Sequence, residues 1–266
     1  MRLINATKVV NDFKIEFIAS LSENEDHDDS DLDGNPRPKY AILSHTWGWK
    51  DEAYGKWAHK ADEVTYNDCY NFSDPFEESL HPDKQKAYRK IYYTCRRALD
   101  FGCDYVWIDS CCTNKSNSAE PTESINSLFR WYSDAAVCLV YLVDSPDSDY
   151  DHSNPKRCLY TIQNQPCRWF SRCWILQELL ASRRMEFYSH EWDLIGTLED
   201  EESTSSGWLV KEISEITKVD TEALLGRVSL WEYSIEAKMS WASRRKSGRP
   251  EDMAYSLLGV FDIHMR

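Results

Sequence analysis

Four short segments of the chain are mostly apolar, a pattern typical of strands that are buried in a sheet. They are residues 40–44, 105–109, 137–143 and 185–188. Between them, apolar residues three and four positions apart predict helices at 84–99, 121–136 and 169–182. Buried strands that alternate with helices predict an α/β fold, with a parallel sheet flanked by helices.

Changes in composition mark the boundaries of the predicted domains. Residues 22–38 contain a run of acids that ends in glycine and proline, which predicts an acidic loop. Residues 199–207 are acidic and rich in serine, and we interpret them as a linker or loop. The α/β core is therefore expected at residues 1–198, and a helical C-terminal part at residues 208–266.

The helical C-terminal part carries one apolar stripe and one basic run. Trp231, Ile235 and Met239 recur every four residues, which predicts a face packed on the sheet domain. Residues 244–246 read Arg-Arg-Lys, and we interpret this run as a solvated helix end.

Composition excludes several functions. The 266 residues carry a formal charge of -14, which argues against binding to nucleic acid or to an anionic membrane. No apolar run is long enough to span a membrane and no secretory signal is present, so we expect a cytoplasmic protein.

Nine cysteines without a C-x-x-C pair favour reduced, buried thiols. The nine glycines form no phosphate-binding motif of the G-x-G-x-x-G or G-x-x-x-x-G-K type.

Polar residues follow the predicted strands at the sheet edge where α/β proteins bind ligands. These residues are Ser44, His45, Thr46, Trp47, Asp109, Ser110 and Asp144. On the third predicted helix, Trp174 and Glu178 are four residues apart and share one face. A carboxylate beside an indole suits cleavage of a ribosyl–nicotinamide bond, because the carboxylate stabilises an oxocarbenium-like transition state and the indole holds a planar ring.

The same residues also have ordinary structural interpretations. Glu178 would pair with Arg172 or Arg183 on a helix surface. Asp109 would cap the turn after its strand, and His45 would be a hydrogen-bonded histidine at a strand end. Most tryptophans at strand and helix spacing would pack in the core, and this applies to Trp47, Trp107, Trp131 and Trp174.

Two further chemistries have weaker support. A Cys111 or Cys112 nucleophile with His45 as its base would need a lowered thiol pKa, for which the pattern holds no signal. We expect no metal site, because no recognised zinc spacing is found among His152, Cys158, Cys167 and Cys173.

Six ordered motifs resemble those of fungal heterokaryon incompatibility (HET) domains. In chain order they are MRLI, YAILSHTWG, YVWIDSCC, INSLFRWY, CWILQELL and PEDMAYSLLG. The resemblance covers almost the whole chain, with departures at Thr113-Asn114, Pro121 and Cys173, where Ile-Asp, Leu and Gly are common. It implies an effector of fungal self/non-self recognition, innate immunity and programmed cell death.

A shorter resemblance bears on the chemistry. The strand that ends in Ser44-His45 and the S-x-x-W-x-x-x-E segment at 171–178 are similar to the first strand and the W-x-x-x-E helix of Toll/interleukin-1 receptor (TIR) domains. This likeness implies a flavodoxin-like core and an NAD glycohydrolase, with NAD as substrate and no cofactor required. Glu178 would be the catalytic carboxylate and His45 would assist it. The residues expected to bind NAD are Ser44, Thr46, Trp47, Asp109, Ser110 and Trp174.

The resemblance also bears on partners. It implies a homo-oligomer when active, acting with further signalling domains or incompatibility partners. The alternative to an enzyme is a non-catalytic, self-associating module that triggers cell death through such partners.

Overall fold

The computed structural model describes residues 1–18, 38–47, 50–51, 56–57, 63–114, 116, 119–146, 154–200 and 206–265. The predicted acidic loop at 22–38 lies outside the described residues, except for Pro38. The chain forms two compact units. The first consists of Met1–Leu43 and Trp47–Ser124, and the second consists of Ser44–Thr46 and Ile125–Arg266.

The first unit contains short strands and one long helix. Its elements are β1 (Leu3–Asn5), α1 (Ala6–Asp12), β2 (Phe17–Ile18), β3 (Tyr40–His45), β4 (Lys50–Asp51), β5 (Lys56–Trp57), α2 (Pro82–Asp100), β6 (Tyr105–Trp107), α3 (Asp109–Cys112) and the start of α4 (Ala119–Asp134). The last two residues of β3 belong to the second unit, and α4 continues into it.

The sheet of the first unit has the strand order β2-β1-β6-β3. β3 and β6 are parallel, as the two apolar runs predict, and Tyr40 lies opposite Tyr105. β1 is antiparallel to both of its neighbours, so the sheet is mixed, and the prediction of a parallel sheet is confirmed only in part. β1 and β2 were not predicted, because only the short α1 separates them and residues 1–18 show no clear alternation.

The helix predicted at 84–99 is confirmed as α2. Pro82 lies in its first turn, where its missing N–H costs no hydrogen bond, and the side chain of His81 accepts from the backbone of Asp83. Gly102 follows the helix with φ +64°, a left-handed conformation that glycine adopts without strain.

The second unit combines three strands with several short helices. Its further elements are β7 (Val137–Tyr141), two 3-10 helices (Pro155–Leu159 and Arg168–Ser171), α5 (Ile175–Ala181), β8 (Arg184–Tyr188), β9 (Leu194–Glu199), α6 (Ser206–Thr217), α7 (Thr221–Leu224), α8 (Ile235–Ala242) and α9 (Asp252–Tyr255). β8 lies between β7, to which it is parallel, and β9, to which it is antiparallel. The strands predicted at 137–143 and 185–188 are therefore confirmed. β9 was not predicted.

The helix predicted at 169–182 is interrupted. A 3-10 helix ends at Ser171 and α5 begins only at Ile175. In the gap, the backbone N–H of Lys246 donates to the carbonyl of Ser171 at 2.6 Å, and the N–H of Cys173 donates to the carbonyl of Lys246 at 2.9 Å. These hydrogen bonds to a distant segment replace helical ones.

Two predictions for the C-terminal part are wrong. The side chains of Trp231, Ile235 and Met239 are 72%, 66% and 48% exposed, so this stripe is not packed on a sheet. Arg245 lies in the basic run that we interpreted as solvated, yet it is buried. None of the helices in the described part of the chain has the length and apolarity that a membrane span requires.

Candidate functional site

The second unit holds a buried carboxylate in a chain of three side chains. Glu178 of α5 is only 7% exposed, and its Oε2 lies 2.5 Å from the hydroxyl of Ser44, near the end of β3. The indole Nε1 of Trp169 donates to the same hydroxyl at 2.8 Å. The interpretation that Glu178 pairs with arginine on an exposed helix surface does not fit this burial.

The direction of these hydrogen bonds follows from the donors available. An indole N–H can only donate, so Ser44 accepts from Trp169 and its single hydroxyl hydrogen remains for Glu178. Oε2 of Glu178 must then accept, as an ionised carboxylate does. A hydroxyl bonded to a carboxylate makes a short, strong contact, and the distance of 2.5 Å fits this type. The arrangement fixes the position of one carboxylate oxygen.

Further groups of the second unit surround Glu178. Its backbone carbonyl accepts from the hydroxyl of Ser182 at 2.8 Å, which fixes the end of α5. Burial, together with the charge of Glu178, raises the pKa of the Cys138 thiol on β7 well above its usual range, so this thiol is neutral. Burial lowers the pKa of the Arg245 guanidinium to about 10, and the charges of Cys173 and Glu178 oppose this effect.

The residues next to Ser44 are also buried. His45 and Thr46 follow it in the chain, and the alternation of a strand directs the side chains of Ser44 and His45 to opposite faces. The structure brings Ser44 into hydrogen-bond contact with Glu178. Nη2 of Arg168 donates to the hydroxyl of Thr46 at 3.3 Å, and its backbone N–H donates to Oδ2 of Asp144 at 2.9 Å.

Trp174 lies one turn before Glu178 and is half-buried. It is the residue that precedes α5, and its carbonyl accepts from the backbone N–H of Glu178 at 3.4 Å. The two residues therefore follow one another along the helix, as their spacing predicts.

Three of the predicted binding residues, Trp47, Asp109 and Ser110, belong to the first unit. Nε1 of Trp47 donates to Oδ2 of Asp109 at 2.5 Å, and both side chains are half-buried. Ser110 is buried, with its hydroxyl 3.7 Å from the sulfur of Cys111. Trp107 and Trp131 are buried as expected for core tryptophans, whereas Trp47 keeps part of its surface exposed.

The cysteines favour structural roles. All nine are free, and eight of them are buried. A hydrogen bond with Cys69 and burial raise the pKa of Cys111, and burial raises that of Cys112, so neither is a ready nucleophile. Among the described residues, no group of three histidine, cysteine or acidic side chains is placed to hold a metal ion.

Three residues of this region were not predicted as functional. Trp169 was assigned to a helix, and its hydrogen bond to Ser44 joins residues 125 positions apart in sequence, which a local pattern cannot reveal. Arg245 was assigned to the surface. Gln177 is fully buried, and neither its amide oxygen nor its amide nitrogen has a hydrogen-bond partner among the described residues.

Comparisons with known proteins agree with the HET motifs. Residues 40–164 match the family model described as Heterokaryon incompatibility protein (HET). The chain is similar to the Vegetative incompatibility protein HET-E-1 of Podospora anserina, with 39% identity over 235 residues. The alignment covers 88% of this chain but 15% of that relative. No solved structure matches the chain. Over residues 40–164 the chain is therefore similar to heterokaryon incompatibility (HET) domains, and the 39% identity to HET-E-1 supports a heterokaryon incompatibility protein.

Proposed function

We propose that this chain is a cell-death effector domain of heterokaryon incompatibility that hydrolyses NAD, with Glu178 as its catalytic carboxylate. The HET match and the similarity to the Vegetative incompatibility protein HET-E-1 support the first part. The likeness of its W-x-x-x-E segment to TIR domains supports the second, and the proposal includes a flavodoxin-like core and a cytoplasmic location. NAD is the substrate in this proposal, and no cofactor takes part.

The observation that carries the proposal is the burial and orientation of Glu178. In NAD hydrolysis the bond from ribose C1′ to the nicotinamide nitrogen breaks, and its electron pair leaves with nicotinamide. The ribose develops positive charge, and a water molecule then adds to C1′ and loses a proton, giving ADP-ribose. A buried carboxylate held by Ser44 stabilises that charge strongly, because little water screens it.

The polar residues around Glu178 are assigned to the same reaction. Thr46 and Trp174 are proposed to contact the nucleotide. His45 is proposed to assist Glu178 indirectly, through Ser44, its neighbour in β3. Trp47, Asp109 and Ser110 of the first unit stay predicted NAD-binding residues.

The test is nicotinamide release from NAD by the purified protein, at high and low protein concentration, beside Glu178→Gln. We expect this variant to lose turnover by about 1000-fold or more, because the amide cannot balance the positive charge. The matched control is Glu186→Gln. Glu186 is also buried, and on β8 it accepts from the hydroxyl of Tyr188 at 2.5 Å. A folded Glu178→Gln protein that keeps its activity would contradict the proposal.

A second candidate function is a non-catalytic, self-associating signalling module. The observation that favours it is the exposure of Trp231, Ile235 and Met239, the residues of the predicted stripe, because exposed large apolar residues often mark an interaction site. We expect this chain to form a dimer or larger species by light scattering, and Trp231→Ser to return it to a monomer. Ile162→Ser is the control, since Ile162 is 62% exposed but lies outside the stripe. A wild-type protein that stays monomeric at high concentration rules out this association.

A further inference from the structure

A cavity of about 550 Å³ lies in the second unit, between the end of α6 and the helix α8. Its lining includes Glu215, Lys218, Val219, Asp220, Tyr233 and Trp241. The volume falls within the range of pockets that bind small ligands. None of these residues has a part in the proposed hydrolysis of NAD, so the cavity is a separate candidate site.

Two aromatic residues line this cavity. Tyr233 and Trp241 pack edge to face, with their ring centroids 5.0 Å apart. Ala237 and Trp241 are four residues apart on α8, so they share the face of the helix that lines the cavity. Trp241 is only 4% exposed, yet among the described residues its indole N–H has no hydrogen-bond partner. An indole N–H in such a place usually has an acceptor, which a ligand in the cavity would supply.

Two carboxylates line the same cavity. Asp220 accepts from the hydroxyl of Tyr233 at 2.7 Å and from the backbone N–H of Glu222 at 3.0 Å. The hydrogen bond from Tyr233 lowers the pKa of Asp220, so this carboxylate is ionised at neutral pH. The side chain of Glu215 is exposed and makes no hydrogen bond or ion pair with the described residues. Its carboxylate is therefore available to a ligand.

The charges around the cavity favour a cation. α6 ends at Thr217, and the carbonyl groups at the C-terminal end of a helix carry partial negative charge. Burial raises the pKa of the Tyr233 hydroxyl, and nearby acids, among them Glu222 and Glu232, raise it further. Among the described residues of the lining, Lys218 is the only cation, and its side chain is exposed.

We propose that this cavity binds a basic side chain of a partner polypeptide. The cationic group pairs with Glu215 and lies against the ring of Tyr233, where a cation–π attraction adds to the ion pair. A backbone carbonyl next to the basic side chain accepts from the indole N–H of Trp241. A polypeptide supplies a cation and a carbonyl together, whereas a free amine supplies only the cation. The formal charge of -14 on the whole chain also favours a basic partner.

The experiment titrates the whole chain with a capped alanine peptide that has one central lysine. The signal is the indole N–H resonance of Trp241 in ¹⁵N-labelled protein, assigned from Trp241→Phe. We expect a saturable shift with the lysine peptide. The same peptide with norleucine in place of lysine should bind about tenfold more weakly or less, because it keeps the stem and the carbonyls but lacks the charge. Butylamine should also bind about tenfold more weakly, because it has no carbonyl for Trp241.

Two variants at exposed positions change the affinity for the lysine peptide in opposite directions. Glu215→Gln keeps the shape of the side chain but removes its charge, so binding should weaken by about fivefold. Lys218→Gln removes a repelling charge, so binding should strengthen by about twofold. Glu251→Gln is the matched control, because Glu251 is exposed and is not part of the lining, and it should leave the affinity unchanged.

Several results would overturn the proposal. They are the lack of a saturable shift with the lysine peptide, equal binding of the norleucine peptide, and an unchanged affinity in Glu215→Gln. Weaker binding in Lys218→Gln would show that the cavity takes an anion instead. Butylamine that binds as well as the peptide would assign the cavity to free amines rather than to a polypeptide. None of these measurements uses NAD, so the proposal stands or falls independently of NAD hydrolysis.

Discussion

Each compact unit holds a carboxylate near an indole, but the two units do so in different ways. In the second unit, Glu178 accepts from Ser44, and the indole of Trp169 acts on Ser44 rather than on the carboxylate. In the first unit, the indole of Trp47 donates directly to Asp109. Glu178 is buried, whereas Asp109 is half-buried.

Under the proposed function, this difference predicts different roles for the two carboxylates. A charge surrounded by protein interacts strongly with another charge, because the local dielectric is low, whereas solvent weakens the interactions of a half-buried charge. Glu178 is therefore suited to stabilise a positive charge in a transition state. Asp109 is suited to accept hydrogen bonds from a bound ligand, with the indole beside it as a flat surface.

The comparison is tested most strongly by changing each carboxylate to its amide. Glu178→Gln should lose nicotinamide release by about 1000-fold or more, mainly in kcat. Asp109→Asn keeps an acceptor oxygen, so it should lose about tenfold or less, mainly through a higher KM. Steady-state kinetics of both folded variants with NAD measures the difference. Equal losses in kcat would show that the two carboxylates do not differ as their environments indicate.

Much of the fold could be predicted because the central strands are apolar on both faces. β3, β6, β7 and β8 were each located to within a few residues. β9 was missed because its residues are buried, half-buried and exposed in no regular order, and because it includes Gly196 and lies at the edge of the sheet beside β8. Local apolarity therefore reveals the strands at the centre of a sheet better than those at its edge.

The candidate site could be predicted in part. Ser44 was identified by its place at a strand end, and Glu178 by its spacing from Trp174. Their contact, and the part of Trp169 in it, depends on residues more than 120 positions apart in sequence, so no local pattern reveals it.

Arg245 is a second residue whose environment could not be predicted from the local sequence. Its neighbours Arg244 and Lys246 are exposed, so the basic run looks like a solvated helix end. Arg245 is nevertheless buried, because the chain after α8 returns to pair with residues 171–173. The long-range backbone pairing, rather than the composition of the run, decides which of the three side chains faces inward.

A smaller effect is expected from removing the donor to each carboxylate while leaving the carboxylate itself. Ser44→Ala takes away the hydroxyl that orients Glu178 and leaves the buried N–H of Trp169 without its acceptor. We expect kcat to fall by about a hundredfold, as for a misplaced catalytic group. The free energy of unfolding should fall by about 1–3 kcal/mol, the cost of an unsatisfied buried donor.

Trp47→Phe is the matched change in the first unit, because it removes the indole N–H that donates to Asp109 and keeps an aromatic ring. Solvent can replace a donor at a half-buried carboxylate, so kcat should fall by less than about tenfold. Nicotinamide release and thermal unfolding of the two variants, measured side by side, check both expectations. If Trp47→Phe lowers kcat as much as Ser44→Ala does, the orientation of Asp109 matters to the chemical step, and a role limited to ligand binding is wrong for that residue.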